Sequence, residues 1–252
     1  MLTPERHSLI LQLLKEKNTV KIQELVEQTN TSESTIRRDL TQLEEDKFLK
    51  RVHGGAARLQ GKLQEPDLVE KSAKNLHEKA DIAKYAASLI EEGDCIFLDA
   101  GTTTVQMIDY LSEDQNIVVV TNGLTNIDPL MKKGIKTYLI GGYLKPGTGA
   151  MIGRGALNGL ENYRFDKCFL GVNGIHSELG YTTPDPDEAF IKQSALQLAR
   201  ECFVLADDSK LGEISFAKIA NLSAATIITN NVEEETLLIY QENTAIKVVK
   251  EQ

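Results

Sequence analysis

Two sets of residues have the types and spacing to do chemistry, and they lie in different parts of the chain. The first is Ser32, Ser34, Thr35, Arg37 and Arg38, short hydroxyls followed by paired guanidiniums, with Lys50, Arg51, His53 and Arg58 beyond them. Hydroxyls suit phosphate oxygens and arginine suits the acceptor edge of guanine, so this is the chemistry of a nucleic-acid contact. The alternative is a solvated helix face on which the arginines pair with Glu33, Asp39, Glu44 and Glu45. The second set is a series of short polar runs: Asp99-Ala100-Gly101-Thr102-Thr103-Thr104, then Thr121-Asn122-Gly123, Gly141-Gly142 and Gly171-Val172-Asn173-Gly174. A glycine lets the backbone come close to a ligand, and hydroxyls at a helix start suit a phosphate. A plain strand-to-helix turn with a threonine cap accounts for the first run equally simply. Further on, Asp187 and Glu188 precede Lys192, and Asp207-Asp208-Ser209-Lys210 ends in a movable cation suited to phosphate. Carboxylates accept hydrogen bonds from sugar hydroxyls, although helix capping by Asp187 and Glu188 explains those acids without a ligand.

These residues need elements to hold them. Thr3-Pro4-Glu5 reads as a helix start, and Leu9, Ile10, Leu13 and Leu14 repeat at helical spacing until Asn18 and Thr19 break the pattern. Ile22, Leu25 and Val26 mark a second short helix ending near Asn30. Thr31-Ser32 caps a third, whose buried stripe of Ile36, Leu40 and Leu43 turns Ser34, Thr35, Arg37 and Arg38 outward. Two short runs around His53-Gly54-Gly55 then read as a hairpin, so residues 1–59 are a winged helix-turn-helix unit. Residues 60–76 read as a connection without a core element of its own.

From residue 77 apolar strands alternate with helices. Strands are expected at 95–98, 117–120, 138–140, 168–172, 203–205 and 226–228. Helices are expected around 82–90 (with Gly93 closing it), 105–111, 124–133, 156–161, 187–201 and 215–220. That alternation predicts a mainly parallel α/β domain over 77–252, covered on both faces. Ligands of such sheets gather at the carboxyl ends of the strands, where the polar runs lie.

Composition bounds the rest. The 252 residues carry 28 Lys plus Arg against 37 Asp plus Glu, a net charge of −9 that taken whole argues against nucleic acid. Divided along the chain, residues 1–60 hold ten cations and nine acids, net +1, and the remainder holds 18 and 28, net −10. No apolar stretch approaches the roughly 18 residues a bilayer span needs, and Arg6 and His7 interrupt the start where a signal peptide would be apolar. Cys95, Cys168 and Cys202 stand singly, which fits reduced thiols in a cytoplasm. The pattern asks for no metal, no organic cofactor and no catalytic group.

The N-terminal motifs resemble the DeoR-type bacterial repressors: Arg6, the run Ser34-Thr35-Ile36-Arg37-Arg38-Asp39-Leu40, and the wing Arg51-Val52-His53-Gly54-Gly55-Ala56. The resemblance implies that residues 32–45 enter the major groove of double-stranded operator DNA, with Asp39 orienting the arginines. It extends over nearly the whole chain, since the later runs resemble that family's effector domain, itself similar to ribose-5-phosphate isomerase. The 101–104 and 207–210 runs look like that enzyme's phosphate-binding elements. Lys192 stands where the isomerase has its glutamate base, and 171–174 replaces an acid-rich stretch. The comparison therefore implies phosphate capture without turnover, unless Glu188 serves as an unrecognised base. Stretches at 21–25, 50–57, 70–72, 94–104 and 181–189 resemble the fructose-operon repressors of Gram-positive bacteria. That implies control by a phosphorylated sugar, with fructose 1-phosphate ahead of fructose 1,6-bisphosphate or tagatose 6-phosphate; the alternative is another sugar-phosphate pathway, tagatose/lactose, glycerol or amino sugar. Repressors of this kind bind repeated half-sites, so a homo-oligomer, a dimer or tetramer, is expected.

Overall fold

The computed structural model describes residues 2–17, 19–46, 48–52, 54–58 and 68–250. The chain divides into two units, Met1–Gly61 and Lys62–Gln252. His53 and Leu59 of the expected winged helix, and residues 60–67 of the expected connection, lie outside the described residues.

In the first unit, helix α1 (Thr3–Lys17) is followed by strand β1 (Thr19–Lys21), helices α2 (Ile22–Thr29) and α3 (Glu33–Glu45), and strands β2 (Leu49–Val52) and β3 (Gly55–Arg58). Thr19, expected only to break a helix, starts a strand, because β3 offers it a partner: the sheet runs β1-β3-β2, antiparallel throughout. Gly55 makes that pairing possible, since a Cβ there would lie 2.1 Å from the Val20 carbonyl oxygen. Asn30 ends α2 in the left-handed region (φ 50°), and Ser32 caps α3 by accepting from the Thr35 N–H at 3.4 Å. Ile10, Leu14, Leu25, Ile36, Leu40 and Leu49, each buried, form one small core.

The second unit begins with helices α4 (Leu68–Ala73) and α5 (Leu76–Ala87), so part of the expected connection is helical. Then come β4 (Cys95–Leu98), β5 (Val118–Thr121), α6 (Ile127–Lys132), β6 (Lys136–Leu139), β7 (Tyr143–Leu144), β8 (Met151–Ile152), α7 (Arg154–Leu160) and β9 (Phe165–Gly171). The chain continues through β10 (Gly174–His176), β11 (Gly180–Thr183), α8 (Pro186–Gln197), β12 (Ala199–Leu205), β13 (Ala217–Ala220), β14 (Thr226–Thr229), α9 (Glu234–Gln241) and β15 (Ile246–Val248). Among the described residues, seven strands form one parallel sheet in the order β15-β14-β12-β9-β4-β5-β6. Period-two alternation divides its core between two faces: Ile96 and Leu98 pack with α5, while Phe97 packs with α7 and α8. The strand order reverses between β4 and β9, which makes their carboxyl ends the topological switch point.

Several expectations are corrected. Residues 215–220 are not a helix; Ala217–Ala220 is β13, paired antiparallel with β11, because pairing decides the state of a short Ala/Ile run. Helix α8 stops at Gln197 and β12 starts at Ala199, where its register with β9 begins opposite Phe165. Val105–Tyr110 is a 3-10 helix rather than an α-helix. α5 ends at Ala87, and Gly93 (φ 84°) belongs to the turn before β4. The three cysteines are free thiols, with Cys168 and Cys202 side by side in β9 and β12.

Candidate nucleic-acid interface and ligand crevice

The outward face of α3 is polar. Ser32 Oγ lies 3.0 Å from Ser34 Oγ and 2.9 Å from Thr35 Oγ1, so three hydroxyls cluster at the helix start. Arg37 is held by Glu33 one turn earlier, Nη2 to Oε1 at 2.6 Å. Arg38 is exposed and makes no hydrogen bond or ion pair with another described residue. It lines a shallow cavity of about 330 Å³ together with Arg37, Thr41, Gln42 and Glu45, of which Thr41 and Gln42 were not singled out from sequence. Arg51 turns back to α3, its N–H donating to Glu44 at 2.7 Å and its Nη1 to Thr41 at 3.0 Å. It braces the wing strand against the helix. Lys50 is exposed on the same hairpin.

Behind that face lies a network the sequence did not reveal. Arg6 donates from Nε to Asp39 Oδ2 at 2.6 Å and from Nη2 to Oδ1 at 2.9 Å; His7 Nε2 lies 3.3 Å from Oδ1. Asp39 therefore does not orient Arg37 or Arg38, as expected, but joins the inner side of α3 to α1. Burial pushes its carboxyl up, and the bonds and charge of Arg6, followed by His7, outweigh that and hold it below the usual carboxylate range. The only available signal was a motif containing both residues; their contact spans 33 positions and leaves no periodic trace.

In the second unit, the ends of β5, β4, β9 and β12 stand side by side and carry the expected polar runs. Asp99 follows β4 and is completely buried. Its Oδ2 accepts from the Gly171 N–H at 3.0 Å and from the Lys192 ammonium, so the switch point is tied across from β4 to β9 and α8. Its Oδ1 is buried without a hydrogen-bond partner among the described residues, and so is Asn126 Oδ1. Thr104 donates to the Asp99 carbonyl at 2.8 Å, and Asn122 Oδ1 accepts from the Ala100 N–H at 2.8 Å. Thr121 donates to the Leu98 carbonyl at 2.6 Å and receives the Asn126 amide at 2.8 Å. Thr104, Thr121 and Asn122 are thus committed to shaping the loop. Gly123 is needed there because a Cβ would stand 3.0 Å from Ala100 Cα. The hydroxyls of Thr102 and Thr103 make no hydrogen bond to a described residue.

On the far side, Asn173 follows β9 and accepts from Thr183 at 3.1 Å. Lys210 follows β12, and its ammonium has no hydrogen bond or ion pair among the described residues. Asp207, beside it, caps Ser209 N–H at 3.2 Å. Burial raises the Asp207 carboxyl, and Lys210, Ser209, Asn75 and Lys79 together reverse this and leave it below the ordinary range. Gly141 and Gly142 follow the edge strand β6, two strands from β4, where Gly142 packs against Ile152 and Ala156. Asp185, not Asp187 or Glu188, caps α8, accepting from the Asp187 N–H at 2.8 Å. Asp187 is exposed. Glu188 is buried and receives Thr148 at 2.8 Å and Lys145 at 3.0 Å from the loop between β7 and β8. Lys145 and Thr148 were not anticipated, since their contacts lie about forty residues away in sequence. A separate cavity of about 460 Å³, lined by Lys84, Tyr85, Lys247 and Lys250 among others, lies between α5 and β15. Among the described residues no helix is long and apolar enough to cross a membrane.

A winged helix-turn-helix followed by a parallel α/β unit with a polar switch point defines a DNA-binding transcriptional regulator with a sensor domain. Residues 6–62 match the DeoR-like helix-turn-helix domain and residues 74–231 the DeoR C terminal sensor domain. The chain is 60% identical over 250 residues to the uncharacterized HTH-type transcriptional regulator FruR of Bacillus subtilis (strain 168), covering 99% of this chain and all of that one. It is 36% identical to the lactose phosphotransferase system repressor of Staphylococcus aureus (strain NCTC 8325 / PS 47), over 92% of this chain and 93% of that protein. The chain belongs to the DeoR family of transcriptional regulators. Among solved structures, the ribose 5-phosphate isomerase A of Methanocaldococcus jannaschii is similar over 53% of each chain, at 19% identity and a TM-score of 0.40.

Proposed function

We propose that the protein is a cytoplasmic repressor of a sugar operon, most specifically a fructose operon, whose DNA binding is set by a phosphorylated sugar in the switch-point crevice. The observation that carries the sensor reading is the unsatisfied state of that crevice. Among the described residues, a buried carboxylate oxygen of Asp99 has no donor, the hydroxyls of Thr102 and Thr103 make no hydrogen bond, and the Lys210 ammonium, although within the field of Asp207, makes no direct hydrogen bond or ion pair. Buried polar atoms are ordinarily paired, so an orphaned acceptor beside open donors and a cation suits a ligand that brings both hydroxyls and a phosphate. In this reading 101–103 and Lys210 take the phosphate, while Asp99, Asn173 and Lys192 face the sugar. Thr104, Thr121, Asn122 and Gly123 shape the loop. Asp187 and Gly141 are kept as outer contacts, whereas Gly142 serves packing against Ile152 and Ala156.

We read the site as one that binds without turnover. Isomerisation needs a carboxylate base: Lys192 stands where the resemblance puts that base, and Glu188, the other candidate, is taken up by Lys145 and Thr148. On DNA, Ser32, Ser34, Thr35, Arg37 and Lys50 are assigned to phosphates, Arg38 to a base edge, and His53 and Arg58 to the wing's approach. Arg51 positions the wing. A homo-oligomer, dimer or tetramer, would present paired α3 helices to repeated half-sites. The relatives' names, FruR and a lactose phosphotransferase system repressor, support a sugar operon as the target; the fructose assignment rests on sequence resemblance.

Footprinting the full chain on DNA upstream of fructose uptake and phosphorylation genes, with a panel of sugar phosphates, tests this. A protected repeated site whose occupancy changes with fructose 1-phosphate is expected. No protected site, or one indifferent to every sugar phosphate, overturns the reading.

A further inference from the structure

Helix α4 is the first described element of the sensor unit, reached directly from the residues that join it to the winged helix. Although short, it is held at both ends by groups belonging to the crevice. The Leu68 N–H donates to the Gly147 carbonyl at 3.2 Å, in the loop whose Lys145 and Thr148 grip Glu188. At its other end the Lys71 carbonyl accepts from the ammonium of Lys79. Lys79 is buried, with 4% of its surface exposed, in the first turns of α5. Burial lowers its pKa; Asp207 opposes that, and Lys210 and Lys71 reinforce it, so the ammonium lies within the field of the 207–210 run. One turn before it, Asn75 stands in the left-handed region (φ 53°) at the start of α5. Its side chain does not cap that helix; Nδ2 donates instead to Asp207 Oδ1 at 2.8 Å, across 132 positions.

We propose that Asn75 and Lys79 are positioning residues that transmit occupancy of the Lys210 site to α4, and through it to the segment leading to the winged helix. This rests on the sensor reading above. A phosphate arriving at Lys210 adds negative charge beside Asp207. A buried ammonium whose best acceptor is a single carbonyl is drawn toward two anions in preference to Lys71, and the last turn of α4 loses its tether. Asn75 keeps Asp207 in line with α5 during this exchange. The two arrangements of Lys79, on the Lys71 carbonyl or on the Asp207–phosphate pair, form a two-state element that a ligand can bias. Neither residue is needed to contact the sugar or the DNA.

The test uses the full chain as wild type, Lys79→Met and Asn75→Gly. Methionine keeps the buried stem, and glycine keeps the left-handed backbone while deleting the amide. Fructose 1-phosphate affinity is measured by calorimetry, and operator affinity with and without that ligand by anisotropy. The ratio of the two operator affinities is the coupling factor. Wild type is expected to show a coupling factor of about 5-fold or more. In Lys79→Met the tether of α4 is already lost, so operator affinity without ligand moves to the value wild type shows with ligand; in Asn75→Gly it stays within about 3-fold of wild type, a change below 1 kcal/mol. In both variants the coupling factor falls toward 1 while sugar-phosphate affinity changes less. Hydrogen exchange of the α4 amides should respond to the ligand in wild type and not in Lys79→Met. A wild-type coupling factor in either folded variant overturns the proposal, as does a loss that only follows weaker sugar-phosphate binding. A wild type that binds fructose 1-phosphate at no concentration defeats the sensor reading itself, and is told apart because it appears before any variant is compared.

Discussion

Asp39 in the first unit and Asp99 in the second are each deeply placed carboxylates gripped by a cation, and the two pairs are built differently. In the winged helix, Asp39 takes Arg6 on both oxygens and His7 on one, so neither oxygen is without a partner. In the sensor unit, Asp99 gives one oxygen to Lys192 and Gly171 and leaves the other buried with no donor. A saturated pair is a clamp, fixing α3 against α1 so that Arg38 projects. In the proposed function the unsaturated pair is the receptor, because a buried acceptor without a donor is costly until a ligand supplies one. Buried pairs contribute little net stability compared with apolar packing, so both are better understood through what they position or bind.

Breaking one partner should separate the two roles. Asp99→Ala leaves Lys192 buried without its carboxylate and should cost about 3–5 kcal/mol, read by denaturant unfolding of the full chain. Arg6→Ala should cost about 3 kcal/mol, the low end of the same range because water lies close to so small a unit, and should abolish operator binding through misplacement of α3. If Asp99→Ala is neutral and Arg6→Ala binds operator normally, the contrast between clamp and receptor fails. Arg38→Ala touches neither pair. It should weaken operator affinity by about 1–3 kcal/mol, roughly 5- to 150-fold, with sugar-phosphate affinity unchanged. A loss of both affinities would show that the two units do not divide the work.

Acid offers a gentler test. The Asp39 carboxyl is depressed in the folded protein, so its contribution is complete above the ordinary carboxylate value of about 4 and is lost as pH falls through the depressed one. The stability difference between wild type and Asp39→Asn should therefore be constant above pH 5 and shrink below pH 4. A difference that grows on acidification would contradict the clamp. The smallest effect belongs to an exposed pair: Lys132–Asp128 lies on α6 with both side chains about three-quarters exposed, and Lys132→Ala should change stability by no more than about 0.5 kcal/mol.

Local signals in the sequence were read well where the physics is local. Ser32 as a cap, Asn30 at a helix end, the Gly54-Gly55 turn and the polar ends of β4, β5, β9 and β12 all depend on near neighbours. The clamp was misread because Arg6 and Asp39 meet only after α1 and α3 pack, and the motif containing them points just as well to Arg37 and Arg38. β13 was misread as helix because Ala217-Lys218-Ile219-Ala220 has no decisive period and takes its state from β11. α4 was missed since six residues show too little periodicity, and what holds it comes from Gly147 and Lys79. At the strand ends, residue types suggested the proposed site, but only geometry separated Thr104, Thr121 and Asn122, which brace the loop, from Thr102, Thr103 and Lys210, which make no direct hydrogen bond or ion pair among the described residues.

The most direct measurement is the operator affinity of the full chain titrated with fructose 1-phosphate, fructose and inorganic phosphate, for wild type and Lys210→Ala. Fructose 1-phosphate should shift wild-type affinity by about 5-fold or more, fructose should not, and Lys210→Ala should need about tenfold or more additional ligand, the loss of one charge-assisted bond. An equal response in the Lys210→Ala variant, or a wild type that answers fructose as well as its phosphate, would contradict the crevice as a phosphate-reading receptor.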